Sequence, residues 1–193
     1  MMRAKYRRLV AAGLLLCSLA VINTGVLADD KAAPADKAAP TVEQLEAALL
    51  VTFANYTVWP AAALPSAVTP IVVGVVGDQA LAQTFEGLSR ERRASGRPFV
   101  TKVLQWESDI SGVHLLFLGP IDRRHMTAIL ARSQQAPMLT VSMASDFGGA
   151  GGMISLKSTG GRVSFAVNAR AVHAAGLQLS SFVLSYATSV SNR

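Results

Sequence analysis

The chain has 193 residues, 51% of them apolar, with 18 Lys and Arg against 12 Asp and Glu and one cysteine. That length supports one domain with a single core, and one cysteine excludes a disulfide-stapled scaffold. Four of the basic residues and none of the acidic ones fall within the first 28 positions, so the remainder carries 14 against 12, a net +2, too little to neutralise a run of phosphates.

Residues 1–28 read as a cleavable signal peptide. Arg3, Lys5, Arg7 and Arg8 form a basic start, Leu9 to Ile22 an apolar run, and Val26-Leu27-Ala28 a small-residue cleavage site. An uncleaved anchor is the alternative, and Asn23, Thr24 and Gly25 weigh against it. Cys17 follows Leu16, which is too large for a lipoprotein site. Residues 29–40, DDKAAPADKAAP, repeat a five-residue unit that cannot bury an apolar face, and they read as a flexible linker. A single domain is expected over 41–193.

Thr41 is a good N-cap for a helix over 42–57, in which Leu45, Ala48, Leu49, Thr52, Phe53 and Tyr56 recur at helical spacing until Trp59-Pro60 ends it. The unbroken β-branched run Ile71 to Val76 suits a central strand buried on both faces. Asp78 caps a helix over 79–90 with Leu81, Phe85 and Leu88 inward. Arg90, Arg92, Arg93 and Arg97 follow it, either as a solvated helix end or as a patch for an anion or a partner. Phe99 to Leu104 alternates as a near-edge strand does. Val113 to Leu118 is a third strand, 121–134 a helix and Pro137 to Val141 a fourth strand.

A glycine-rich stretch, Gly148 to Gly152, then leads to two alternating runs joined at Gly160-Gly161, the signature of a hairpin. Asn168 opens a helix that stops at Gly176 with Leu177 set to touch Val172, and Ser180 caps a last helix with Phe182, Tyr186 and Val190 on one face. The order implies an α/β fold: a three-layer sandwich with a mostly parallel mixed sheet, a C-terminal β-hairpin, and N- and C-terminal helices packed on the sheet.

Reactive constellations are sparse. The glycine stretch lacks the Lys-Ser/Thr of a phosphate loop and is followed by a strand, which favours a flexible loop or bulge. His114, His125 and His173 have no ligand partners at metal-binding spacing, no serine sits in a nucleophile elbow, and paired carboxylates are absent near the strand ends apart from Asp78 and Asp146, the first most simply a helix cap. No metal, no cofactor and no catalysis are therefore expected. Binding remains: Asn168, Arg170 and His173 can hydrogen-bond a small carboxylate, the plainer alternative being an N-cap and two solvated side chains. Trp59 and Trp106 lie at element ends, as lids on the core or as partner anchors, and Arg97 is the basic residue assigned with Trp59 to a binding role.

Phe53-Ala54-Asn55-Tyr56-Thr57-Val58-Trp59-Pro60 resembles the F-x-K-[FY]-[VT]-x-W-P signature of the YfiR family of periplasmic proteins, with Asn55 where lysine is common. Val75 to Asp78, His114 to Phe117, Gly152 to Leu156 and Arg162 to Ser181 match further family patterns in the same order. The resemblance implies a non-enzymatic periplasmic regulator that binds and represses an inner-membrane diguanylate cyclase or a related sensor, lowering cyclic-di-GMP and restraining biofilm. It also implies homodimers and small aromatic or carboxylate ligands as partners, and no nucleic acid. The alternative class is a periplasmic small-ligand sensor or carrier. The redox-coupled disulfides of a well-known member of that family have no counterpart after residue 28, where no cysteine remains.

Overall fold

The computed structural model describes residues 39–191; the expected signal peptide and all but the last two residues of the expected linker lie outside them. Five helices, α1 (Val42–Asn55), α2 (Gln79–Ser89), α3 (Arg123–Ser133), α4 (Ala169–Ala174) and α5 (Ser181–Tyr186), alternate with nine strands. These are β1 (Thr57–Val58), β2 (Ile71–Val76), β3 (Phe99–Leu104), β4 (Leu115–Leu118), β5 (Leu139–Ser142), β6 (Ile154–Thr159), β7 (Arg162–Asn168), β8 (Gln178–Leu179) and β9 (Ser189–Ser191). Seven of them form one mixed sheet in the order β3-β2-β4-β5-β6-β7-β9, and β1 pairs with β8 in a small antiparallel ribbon. Only the β6–β7 hairpin is antiparallel within the large sheet.

The near-continuous apolar strands are explained by two separate cores. Side chains alternate across a strand, so Val73, Val75, Leu115 and Phe117 face one side with Phe53 of α1 and Phe85 of α2. Val76, Leu116 and Leu118 face the other side with Met126, Ile129 and Leu130 of α3. Phe53 meets Phe165 edge to face at 5.1 Å and Phe85 meets Phe99 at 5.4 Å, which locks α1 to the hairpin and α2 to the edge strand.

The helix starts follow local chemistry. Thr41 and Gln44 form a reciprocal capping box, and Asp78, Asp122, Asn168 and Ser180 each accept a backbone N–H of the helix they precede. Gly176, at φ 71°, closes α4, and the Leu177 N–H donates to the Val172 carbonyl at 3.1 Å.

Several expectations are corrected. The first helix ends at Asn55, not residue 57, because Thr57 and Val58 pair with Leu179 and Gln178. The run at 71–76 is flanked on one side by edge strand β3 alone, so β2 is buried without being the middle of the sheet. His114 precedes β4 and is not within it. It is buried and satisfied, with Nδ1 accepting the Val72 N–H at 3.1 Å and Nε2 facing the Ala63 carbonyl at 3.1 Å. The last helix stops at Tyr186, so Val190 leaves the face of Phe182 and Tyr186. Ala187 turns extended, the Thr188 N–H and hydroxyl both donate to the Phe165 carbonyl, and residues 189–191 join β7 as β9. Among the described residues no helix is long and apolar enough to cross a membrane.

Candidate functional site

The glycine-rich stretch is not a loose loop. Phe147 is fully buried, and a Cβ on Gly152 would lie 2.3 Å from its ring. The Gly152 N–H donates to the Phe147 carbonyl and the Ala150 N–H to the Asp146 carbonyl, at 2.8 and 2.9 Å. The segment is therefore folded over an aromatic anchor. Gly148, Gly149 and Gly151, lacking side chains, line a cavity of about 560 Å³ together with residues of α4.

Two of the expected binding residues meet there. Asn168 and Arg170 line this cavity with Gln134, Met153 and the small side chains Ala171 and Ala174. Asn168 has a second task, since its Oδ1 caps α4 at the Ala171 N–H and its Nδ2 donates to the Gly148 carbonyl at 3.4 Å. Arg170 is exposed and forms no ion pair among the described residues. His173 is exposed and outside the cavity wall, because α4 turns positions 170, 171 and 174 toward it. The size suits a small molecule, and an arginine beside two amides suits a carboxylate or another planar anion.

The other assigned residues lie elsewhere. Trp59 is only 8% exposed and packs edge to face on His114 at 6.4 Å, which makes it a lid on the core. Among the described residues its indole N–H finds no hydrogen-bond partner. Arg97 spends its guanidinium on the carbonyls of Ser66 and Thr69, the latter at 3.1 Å, and thereby ties the loop before β2 to the segment after α2. Trp106 stacks on His125 at 3.9 Å, and Arg132 holds the loop beneath it through the carbonyls of Trp106 and Ser108.

A second surface could be found only in three dimensions. Tyr56 at the end of α1 stacks on Phe182 of α5 at 4.7 Å, and Phe182 meets Tyr186 at 5.1 Å. All three are exposed, Tyr186 at 67%, as is Val58 of β1 at 62%. This aromatic row borders an apolar groove of about 460 Å³ between α1, β7 and α5, with Leu49 and Val163 in its walls. Tyr56 and Phe182 are 126 positions apart in the chain, so the spacing of neither segment reveals the row.

The described residues thus form a mixed α/β sheet that bears a small-molecule-sized cavity and an exposed aromatic groove. The YfiR/HmsC-like family model matches residues 43–188, about three quarters of the chain, and the protein belongs to that family. A search of curated proteins returned no match.

Proposed function

We propose that the protein is a non-enzymatic periplasmic regulator that docks on the periplasmic region of an inner-membrane diguanylate cyclase and represses it. Membership of the YfiR/HmsC-like family supports a membrane signalling protein as the partner. The observation that carries the reading is the solvent-facing row Tyr56, Phe182, Tyr186 beside an apolar groove. Large aromatics in contact with water are costly for a monomer and are the usual anchors of a protein interface. Repression requires that the protein bind the inactive state of the cyclase more tightly than the active state.

Phe182→Ala with Tyr186→Ala tests this in a strain lacking the wild-type gene. The wild-type protein is expected to co-purify with a membrane cyclase and to lower cyclic-di-GMP; the double variant is exported and folded but does neither. Equal nucleotide levels with wild type, double variant and no protein at all would sink the reading.

A second reading has its own observation, the cavity lined by Asn168 and Arg170. In it the protein senses or carries a small aromatic carboxylate. Phenylacetate is expected to raise the melting temperature of the wild-type protein, and Arg170→Ala to remove most of that rise. No rise in the wild type would discard the carboxylate.

A further inference from the structure

A different cavity, of about 410 Å³, opens at the carboxyl ends of β2, β4 and β5. From β2 the chain passes through α2 to β3 on one side and then returns to β4 on the other, so the strand order reverses at β2. In open α/β sheets the crevice at such a reversal is where ligands bind. Here the two loops that frame it touch: Gly77 is at φ 75°, and a Cβ on Gly119 would lie 2.8 Å from the Asp78 Cβ.

The lining is apolar and acidic together. Phe117, Ile121 and Met143 supply the apolar wall, and Glu43, Glu46 and Asp78 supply carboxylates. Glu46 is the unusual member. It is 3% exposed, it faces this cavity from α1, and no hydrogen bond or ion pair among the described residues reaches its carboxyl. Asp78 keeps one oxygen on the Leu81 N–H at 2.8 Å, and Glu43 is exposed at the rim. A buried carboxylate without a partner is costly, and a cation placed against it removes that cost. No lysine, arginine or histidine lines the cavity. Among the described residues no three His, Cys, Asp or Glu side chains converge to hold a metal ion. The charge to be met thus belongs to a molecule that also has an apolar body.

We infer that this cavity binds a small organic ammonium ion, its charged head on Glu46 within the field of Asp78 and Glu43 and its body against Phe117 and Met143. This site is separate from the docking row and from the Arg170 cavity, and its test needs no partner protein. Protons compete for the same carboxylate. Burial, then the charges of Asp78 and Glu43, push the Glu46 carboxyl up to about 7, so it is largely neutral at pH 6 and ionised at pH 8. Affinity for the cation therefore rises with pH, by about tenfold between 6 and 8.

The experiment titrates the full chain, 13C-labelled at the methionine methyls, with phenethylammonium chloride. Met153 lines the Arg170 cavity, whereas Met143 lines this cavity and also a neighbouring one beside Phe165 that holds no carboxylate, so the pH series and Glu46→Gln tell those two apart. The Met143 methyl is expected to shift and saturate at pH 8, with about tenfold weaker binding at pH 6, no shift with phenethyl alcohol, and at least tenfold weaker binding in Glu46→Gln. Equal responses to the ammonium and the alcohol, a flat pH series, undiminished binding by Glu46→Gln, or a shift of Met153 in place of Met143 would each overturn the proposal. So would displacement of the ammonium by an equal concentration of magnesium. The wild-type pH series decides by itself if Glu46→Gln fails to fold.

Discussion

Glu46 occupies a helix position where spacing alone predicts nothing special, yet it lies beneath the protein surface at 3% exposure. Its carboxyl is pushed up to about 7, chiefly by burial. In the unfolded chain it ionises in the ordinary range near 4.5, so between about pH 4.5 and 7 the folded state holds a proton that the unfolded state has lost. Stability from this group is complete below that window and is lost as pH rises through it. Urea denaturation is expected to show the protein less stable at pH 8 than at pH 5 by on the order of 3 kcal/mol from this group, and Glu46→Gln is expected to abolish the difference. Equal slopes with pH in the wild type and Glu46→Gln would contradict this. Asp109 and Asp122 act in the opposite sense and at lower pH. Hydrogen bonds from Ser111, and from the His125 backbone in the second case, hold their carboxyls below the usual range, so their contribution is present above it and fades in acid.

Among the elements, the segment Phe147 to Gly152 shows how composition can mislead about flexibility. Gly148 to Gly152 holds four glycines in five residues, which suggests a loose loop, but a Cβ on Gly152 would strike the buried Phe147 ring at 2.3 Å, and one on Gly148, Gly149 or Gly151 would meet Ser155, Asp146 or Gln134 at 3.3, 3.4 and 3.4 Å. Gly152→Ala is expected to destabilise the domain by about 1–3 kcal/mol, since the new methyl would overlap a ring that has no room to move. Denaturant midpoints measure this, and a loss within about 0.5 kcal/mol, as at an ordinary surface site, would show that the ring yields. Gly160 is the contrast: its φ is 58°, nothing lies within 4 Å of a Cβ there, and the hairpin turn it serves could be read from the chain. The caps at Thr41, Asp78, Asn168 and Ser180 were equally legible, because a side chain that bonds the next turn's N–H needs no distant neighbour. The β1–β8 ribbon and β9 were not legible. Each is two or three residues long and exists only because a distant strand offers its free edge.

At the scale of the molecule, the Arg170 cavity, the Glu46 cavity and the groove beside Tyr186 draw on residues far apart in the chain, and each presents different chemistry. The Arg170 cavity is cationic and amide-lined, the Glu46 cavity anionic, and the groove beside Tyr186 apolar. Because Phe182 and Tyr186 face solvent at 45% and 67% exposure, truncating both is expected to leave the urea midpoint nearly unchanged while partner capture is lost. A large fall in the midpoint would instead assign the row to the core.

The α/β class, the parallel strands, the hairpin, most helix starts and the family signature are properties of short segments, and periodicity and capping act within a few residues of chain. Asn168, Arg170 and His173 could be proposed together for the same reason, lying within six positions, but only the first two line the cavity. What the segments leave open is which surfaces end up facing each other. The aromatic row, the burial of Trp59 and the isolation of the Glu46 carboxyl all depend on how α1 lies against the sheet and the carboxyl-terminal elements. Packing of two cores on opposite faces of one sheet decides those positions, because solvent exclusion at a residue is set by neighbours that the local chain does not contain.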